Sequence, residues 1–399
     1  MTAEESIHWL YSAQKFGVKL GLDNTRALLA ALDQPHAALN VIHVAGTNGK
    51  GSTCALLDSV LREHGLRTGL YTSPHLVDFS ERIRVNGVPI PDEALAAGLT
   101  RIREICEKWD AMPSFFEIAT VLALRHFADA ACEAVVLETG MGGRLDATNV
   151  VHPRVSVLTP IAMDHSRYLG ETLAAIAGEK AGIMKPGVPA VSAPQVPEAA
   201  AVFREAAIRM RSDLSFLDSP YVGEMSLMGS HQRWNAALAV AALRKSGWEV
   251  SEDSIRRGMA HTQWPGRFQR VGEDLVVDGA HNPHGIAALC RTWAEVFQGE
   301  FATVIFGAMR DKNVPEMIAA LKPIASSFVF VPVRSERSED PFQLARYTGQ
   351  PSQVADSLAA AMSLIGQAGG RVLVTGSLFL VGETLAFVRE VPAARRSNQ

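Results

Sequence analysis

The chain has few cysteines, and their spacing argues against two common kinds of site. Its four cysteines, Cys54, Cys106, Cys132 and Cys290, are scattered over 399 residues, and no two of them form a CxxC pair. A disulfide framework or a cysteine-based zinc site would need closer and more regular spacing. The pattern is therefore typical of reduced thiols buried in a core.

Three further absences limit the expected partners and location. No long lysine or arginine run occurs and the net charge is −4, so the concentrated basic surface that binds nucleic acid is not expected. No apolar run approaches the ~20 residues that cross a bilayer. The first six residues lack the basic and apolar regions of a signal peptide. We therefore expect a soluble, cytoplasmic protein without nucleic-acid or membrane partners.

The chain does have alternating short β-branched runs and Ala/Leu-rich helical stretches. This alternation predicts an α/β fold with mostly parallel sheets whose two faces are both covered. The expected strands are Val41–Val44, Gly69–Tyr71, Ala134–Leu137, Val155–Leu158, Leu275–Val277, Ala302–Phe306, Ser327–Val331 and Arg371–Val374. The expected helices include Ser52–His64, Glu117–Ala130, Trp234–Lys245 and Pro283–Val296. A Pro-Gly pair after His261 marks a boundary, which predicts domains of residues 1–264 and 265–399.

The most informative segment is the glycine-rich turn that follows the first strand. Residues 46–52 read GTNGKGS, and a helical pattern begins directly after them. Glycines let backbone N–H groups surround phosphates, and Lys50 can reach the β- and γ-phosphate oxygens at a helix N-terminus. The general P-loop pattern is not met, because Val44 replaces its first glycine and Gly51 separates Lys50 from Ser52. The alternative is a solvated turn with an exposed lysine.

Polar residues also follow other predicted strands. Glu138 ends the strand at 134–137 and is suited to hold Mg²⁺, and the alternative is a loop glutamate that caps the next helix. His165 follows the strand at 155–158, where a structural histidine is the alternative to a metal ligand. Ser73 lies after the strand at 69–71 and either faces the same ion or simply turns the chain. Together they predict a metal site beside the phosphate loop.

The second half repeats this arrangement. Asp278 and His281 lie where a strand is followed by a helix, so we expect the carboxylate to accept from ribose hydroxyls and the imidazole to meet phosphate or a reacting group. The alternative, compatible with the first, is helix capping by Asn282 with Pro283 at the first helical position. Arg267 either reaches a phosphate or lies at the surface.

These residues resemble one family over nearly the whole chain. The markers are GTNGKGS (46–52), TSPHL (72–76), ETGMGGRLDATN (138–149), MDH (163–165), EKAGIMK (179–185), PGRFQ (265–269) and DGAHNPHG (278–285), together with the segment 16–22. They are similar to those of the folylpolyglutamate synthase/dihydrofolate synthase family of Mur-type ATP-dependent ligases. Peptidoglycan-type relatives usually lack a glycine equivalent to Gly51.

The resemblance implies a set of site residues. Catalytic roles are implied for Lys50, Lys180, Arg267 and His281. ATP contacts are implied for Gly46, Thr47, Asn48, Gly49, Lys50, Gly51, Ser52, Asn235, Arg267 and Asp278. Pterin contacts are implied near Leu20–Asn24 (Gly21, Leu22, Asp23), at Phe115, Phe116 and Glu117, and at Leu145, Asp146 and Ala147. Mg²⁺ ligands are implied at Ser73, Glu138, His165 and Lys180, where Lys180 matches a carbamylated family lysine that would serve a second Mg²⁺. Taken alone, the two adjacent phenylalanines are more typical of a core.

The resemblance also implies a reaction. The γ-phosphate of ATP passes to a carboxylate of dihydropteroate or a folate, and the amino group of L-glutamate then displaces phosphate from the acyl phosphate. Two Mg²⁺ ions, closure of the two domains and a monomeric enzyme are expected. The alternatives are an amino-acid ligase of cell-wall precursors and a P-loop ATPase that makes no amide bond.

Overall fold

The structure is a computed structural model that describes residues 1–16, 21–365 and 370–391. It divides into two compact units. The first unit contains residues 1–74, 80–226 and 233–262, and the second contains residues 75–79, 227–232 and 263–399. The predicted domains, an ATP- and pterin-binding domain at residues 1–264 and a glutamate-ligase domain at residues 265–399, stay a prediction.

The first unit alternates strands with helices, as expected. Its strands are β1 (Val41–Ala45), β2 (Thr68–Tyr71), β3 (Ile83–Val85), β4 (Val88–Pro89), β5 (Ala134–Glu138), β6 (Val155–Leu158), β7 (Ala190–Ser192) and β8 (Leu214–Phe216). Its helices are α1 (Ala3–Ser12), α2 (Asp23–Ala31), α3 (Lys50–Glu63), α4 (Asp92–Cys106), α5 (Phe115–Asp129), α6 (Ser166–Leu169), α7 (Leu173–Ala181), α8 (Pro197–Met210), α10 (Glu252–His261) and, from residue 233 onward, α9 (Ser230–Lys245). Short 3₁₀ turns lie at Ala13–Phe16, Pro35–Ala38, Phe79–Arg82 and Ala147–Val150.

The sheet of the first unit brings three strand ends together. Its order is β4-β3-β2-β5-β1-β6-β7-β8, and the strands from β2 to β8 in this order are parallel. In this order β1 lies between β5 and β6. The chain therefore places β2 to β5 on one side of β1 and β6 to β8 on its other side. Ligands of such sheets bind at the carboxyl ends of strands beside this change of direction. Backbone hydrogen bonds from Thr139 N to Val44 O (2.9 Å) and from Thr159 N to Ala45 O (2.8 Å) join the three ends.

Local sequence explains where the helices of this unit begin. At α5, the Ser114 hydroxyl accepts from Glu117 N and the Glu117 carboxylate accepts from Ser114 N, which is a capping box. On α4, the spacing of Leu95, Leu99 and Ile102 places apolar side chains on one buried face. The helix α3 begins at Lys50, two residues before the predicted start, because Gly49 adopts φ 89° and serves as its N-cap.

The second unit is a smaller α/β layer structure. Its strands are β9 (Gln269–Val271), β10 (Leu275–Val277), β11 (Ala302–Phe306), β12 (Ala325–Phe330), β13 (Ser352–Val354) and β14 (Arg371–Thr375). Its helices are α11 (Pro283–Phe297), α12 (Val314–Leu321), α13 (Pro341–Arg346), α14 (Leu358–Ile365) and α15 (Leu378–Val388), with a 3₁₀ turn at Lys322–Ile324. The sheet order is β13-β12-β11-β14-β10-β9, parallel except for β9. Buried apolar clusters cover this sheet, one around Trp293 and one around Leu380.

The fold class predicted from the sequence is confirmed, with small shifts at element ends. The strand expected at 327–331 runs from Ala325 to Phe330, and the helix expected from Trp234 begins at Ser230. Within the described ranges, none of the helices is long and apolar enough to cross a membrane.

A glycine in α10 sets how closely this helix packs on α3. A Cβ at Gly258 would lie 2.5 Å from Val60 Cα and 2.7 Å from Val60 N, and neither backbone atom can move aside locally. We expect Gly258→Ala to lower the free energy of unfolding by about 1–3 kcal/mol despite its better helix propensity. Urea unfolding of the purified variant measures this loss. The matched control is Gly178→Ala in α7, where no atom lies within 4 Å of the added carbon. It should gain about 0.5–1 kcal/mol, and equal midpoints for both variants would contradict the packing argument.

Candidate active site

The phosphate loop lies at the carboxyl end of β1. The chain turns at Gly46, whose φ is 151°, and a Cβ there would lie 1.8 Å from Thr159 Oγ1. The loop is held by Pro160, whose carbonyl accepts from Thr47 N at 3.0 Å and from Asn48 N at 3.4 Å. The first turn of α3 contains no acidic residue, and Gly49 supplies no side-chain cap. The positive end of this 14-residue helix is therefore suited to an anion.

Two lysines converge on this loop. Lys50 Nζ donates to Thr47 O at 3.2 Å, and Lys180 Nζ donates to Gly46 O at 2.7 Å. Lys180 is buried, and this burial together with the positive charge of Lys50 lowers the pKa of Lys180 to about 7. The charge of Lys50 at the helix N-terminus favours a negatively charged ligand at this loop.

A neighbouring loop supports the phosphate loop. The Thr47 hydroxyl donates to Ala162 O and accepts from Ala162 N, both at 3.1 Å. The side chain of Gln195 accepts from Ile161 N at 3.0 Å and donates to Thr159 O at 3.1 Å. The supporting roles of Ala162 and Gln195 were not predicted from the sequence, since Ala162 is 115 residues from Thr47 and Gln195 shows no motif.

Two of the predicted metal ligands, Ser73 and Glu138, are adjacent. Glu138 is the last residue of β5, is 3% exposed, and accepts a hydrogen bond from Ser73 N at 3.0 Å. His165 is exposed and directly precedes α6 with φ 51°. In the described ranges no group of three or more His, Cys, Asp or Glu side chains is arranged to hold a metal. The predicted set contains only two such residues, so a metal here would need oxygen ligands from serine, from a modified lysine or from nucleotide.

The residues expected around the pterin come together in part. Gly21 N donates to Leu145 O at 3.4 Å, and Asn24 Nδ2 donates to Glu117 Oε2 at 3.4 Å. Leu22 is the N-cap of α2 and Asp23 is its first residue. Leu20 lies outside the described residues. The segments 21–24, 115–117 and 145–147 are therefore neighbours in the first unit.

The two adjacent phenylalanines have different surroundings. Phe115 is 2% exposed, with its ring 5.4 Å from Tyr11 and 5.1 Å from the guanidinium carbon of Arg82, so it belongs to the core. Phe116 is half-buried and lies against Gly140, where a Cβ would be 2.4 Å from Phe116 Cζ. Of the two, only Phe116 combines partial exposure with contact to the glycine-rich loop.

Two carboxylates in this region have local structural partners. Glu117 completes the capping box of α5. Asp146 accepts from Thr148 N at 3.0 Å, from Thr148 Oγ1 at 2.5 Å and from Met141 N at 2.8 Å. Burial raises the pKa of Asp146, while these donors oppose the shift. Asp146 thus holds the loop of which Leu145 and Ala147 are part.

Asn235 lies beside the phosphate loop. This buried residue of α9 places Oδ1 2.5 Å from the position that a Cβ on Gly49 would take. Any larger residue at position 49 would meet this side chain, so the approach requires glycine there.

The second unit groups its own predicted residues. Asp278 accepts from Phe268 N and from Ala280 N, both at 2.8 Å, and His281 Nδ1 donates to Gly279 O at 2.8 Å. A Cβ on Gly279 would lie 2.5 Å from Arg267 Nη1, so this arginine covers the same turn. The capping interpretation of the following residues is confirmed, because Asn282 Oδ1 accepts from Gly285 N at 2.8 Å with Pro283 beginning α11.

Comparison with known proteins identifies the family. Residues 44–193 match the family described as Mur ligase middle domain, and residues 266–378 match Mur ligase, glutamate ligase domain. The dihydrofolate synthase/folylpolyglutamate synthase of Bacillus subtilis is 36% identical to this chain, covering 95% of this chain and 97% of the relative. This chain belongs to the folylpolyglutamate synthase/dihydrofolate synthase family. It is a ligase, and the cell-wall alternative shares only the superfamily with these relatives.

Solved structures of this family agree with the fold. The folylpolyglutamate synthase of Mycobacterium tuberculosis complexed with ADP and AMPPCP superposes with a TM-score of 0.89 at 32% identity, covering 97% of this chain and 99% of that one. Escherichia coli FolC in complex with DHPP and ADP gives a TM-score of 0.88 at 33% identity, covering 96% of this chain and 98% of that one.

Removal of Lys50 tests the phosphate loop. We expect Lys50→Ala to lower turnover to near zero and to weaken ADP binding, because the loop loses one of the cations that oppose phosphate charge. The control is Lys245→Ala, which removes a partly buried lysine that pairs with the exposed Asp213 and should leave turnover almost unchanged. Calorimetric titration with ADP and a steady-state assay measure the two effects. Near-normal activity of the folded Lys50→Ala protein would remove this residue from the site.

Proposed function

We propose that this ligase adds L-glutamate to dihydropteroate, to the glutamate tail of tetrahydrofolates, or to both, through an acyl phosphate made from ATP. The single observation that supports this most is the convergence of Lys50 and Lys180 on the loop at residues 46–49. The grouping of residues 21–24, 115–117 and 145–147 in the same unit offers a place for the pterin. The related structures are complexes with ADP and AMPPCP or with DHPP and ADP, which supports a nucleotide site and a pterin site in this family.

The proposed reaction has two steps. A substrate carboxylate oxygen attacks the γ-phosphorus of ATP, the bond to the β,γ-bridging oxygen breaks, and ADP leaves. The neutral amino group of glutamate then attacks the acyl carbon, phosphate leaves, and the amine proton passes to solvent. Lys50 and the N–H groups at the start of α3 stabilise the negative charge on the phosphates. We propose that residues 46–52 and Asn235, with Arg267 and Asp278 of the second unit, contact ATP, and that His281 lies near the transferred phosphoryl group.

The chemistry of Glu138 fits a magnesium ion. Its buried carboxylate ends a strand next to the phosphate loop, and Ser73 is adjacent, so oxygen ligands are available. We propose Ser73, Glu138 and His165 as the ligands of the first ion. Bound Mg²⁺ would neutralise phosphate charge and polarise the phosphoryl group.

An unmodified Lys180 does not fit a metal site, because an ammonium group has no lone pair to donate. A carbamate on Nζ would supply the missing oxygens. The burial of this side chain and its lowered pKa keep much of the amine neutral near pH 7, which is the form that reacts with CO₂. We therefore propose that Lys180 is carbamylated and serves a second Mg²⁺.

The substrate itself is decided by one assay. Dihydropteroate and tetrahydrofolate are supplied separately with ATP and glutamate, and glutamate-dependent phosphate release and the amide product are measured. Product with either substrate supports the proposal and defines which activity is present. Phosphate release that does not depend on glutamate would instead favour an ATPase. We further propose a cytoplasmic monomer, which light scattering of the purified protein tests for oligomeric state.

Glu138→Gln tests the metal assignment. The amide keeps the size of the side chain but removes its charge, so we expect the Mg²⁺ concentration for half-maximal rate to rise at least about tenfold. Glu133→Gln, which alters an exposed carboxylate bonded to Arg67 N, is the control and should not change it. An unchanged Mg²⁺ dependence in Glu138→Gln would exclude Glu138 as a ligand.

Carbon dioxide tests the modification of Lys180. Protein freed of CO₂ should lose most of its activity and regain it with bicarbonate. ¹³C-bicarbonate should give a carbamate carbon resonance that is absent from Lys180→Ala. Lys185→Ala, which changes a half-buried lysine of the same segment, should keep the resonance. A signal that disappears in Lys185→Ala and persists in Lys180→Ala would contradict the assignment.

A further inference from the structure

A histidine occupies the middle of the central strand of the first sheet. His43 is 0% exposed, and its strand β1 is paired on both sides, with Leu137 and Ser156 as its neighbours in register. Strands buried in this way are normally apolar, because a buried polar group is unfavourable unless it forms hydrogen bonds. Burial, with a contribution from the charge of Lys185, lowers the pKa of His43 to about 3. The ring is therefore neutral at physiological pH.

The hydrogen bonds determine which ring nitrogen carries the proton. His43 Nε2 lies 2.8 Å from Thr148 Oγ1, and the Thr148 hydroxyl donates to Asp146 Oδ1 at 2.5 Å. Since the single hydroxyl proton goes to the carboxylate, the oxygen must accept from the ring, and Nε2 carries the hydrogen. Nδ1 has no hydrogen-bond partner among the described residues. The direction of donation is thus His43 to Thr148 to Asp146.

This chain of hydrogen bonds ends in the loop that faces the proposed pterin site. The second oxygen of Asp146 accepts from Met141 N, so one carboxylate fixes both ends of the segment 141–148. That segment includes Leu145, whose carbonyl accepts from Gly21 N. The side chain of His43 is buried, so it does not contact a substrate directly, and its hydrogen bond to Thr148 connects it to this loop.

We propose that His43 is a positioning residue for the pterin site, which it supports by orienting Thr148 and, through it, Asp146. The inference rests on the proposed function, because it assumes that residues near Leu145 contact the pterin. His43 lies three residues before Gly46, which directly follows the same strand, yet its hydrogen bond leads toward the proposed site of the other substrate. The predicted effect is therefore selective for the pteroate or folate substrate over ATP.

The test compares two substitutions at position 43. His43→Leu removes the N–H donor with a similar volume, and we expect the KM for the pteroate or folate substrate to rise about fivefold, the loss typical of one hydrogen bond. The KM for ATP should stay within about twofold. His43→Gln restores an N–H donor near the position of Nε2 and should bring the KM back toward the wild-type value. A general packing defect would instead lower kcat or shift both KM values, and would overturn the proposal.

A second variant tests the other end of the same chain. Thr148→Val is close to isosteric and removes the hydroxyl, so it should raise the same KM, and adding His43→Leu to it should raise that KM no further. Additive effects of the two substitutions would show that His43 acts by another route and would overturn the proposal. If His43→Leu does not fold, an unchanged KM in Thr148→Val would overturn it equally. The wild-type assay separates this result from a failure of the proposed function, because an enzyme without pteroate- or folate-dependent turnover fails before any variant is made.

Discussion

The close approach of Gly46 to Thr159 is the constraint on which the rest of the site depends. There is no space for a side chain at Gly46. The backbone of the loop is held by hydrogen bonds to Pro160 O and by the two hydrogen bonds between Thr47 and Ala162. Because the loop is fixed by neighbours, the N–H groups at the start of α3 point in one direction before any ligand arrives. Preorganised dipoles of this kind are the effective ones, since they cost no rearrangement during the reaction.

The charges around this loop follow from the same geometry. Lys180 Nζ donates to the carbonyl of Gly46 and Lys50 Nζ to that of Thr47, so both amines lie where the helix dipole is also positive. Burial lowers the pKa of Lys180, which relieves part of the repulsion in the absence of an anion. Glu138, at the end of the adjacent strand, provides opposite charge for a cation. The site therefore separates anion-binding and cation-binding groups along neighbouring strand ends.

Much of this arrangement could be predicted from the sequence because it is local. β-branched runs such as Val155–Leu158 form buried parallel strands, and the glycines before Lys50 fix a turn into a helix. Individual roles were harder to predict. Phe115 and Phe116 are equivalent in the sequence. In the fold, Phe115 is buried against Tyr11, whereas Phe116 lies against Gly140. Gln195 has no local signal, since its partners at 159–161 become neighbours only through the order of the strands.

The buried hydrogen bonds between β1 and the loop at 141–148 show why such contacts cannot be predicted from sequence patterns. His43 and Thr148 are 105 residues apart, and the only hint is a histidine within an otherwise apolar run. Apolar residues would pack there without any cost of burying polar groups, but they would not specify one orientation of Asp146. A neutral imidazole and a hydroxyl provide directional bonds while adding no buried charge, so the desolvation cost stays small. Asp146, the carboxylate in this series of hydrogen bonds, accepts three hydrogen bonds that offset the cost of its burial. The structure thus uses directional hydrogen bonds in the strand that leads into the phosphate loop to define the shape of a second loop.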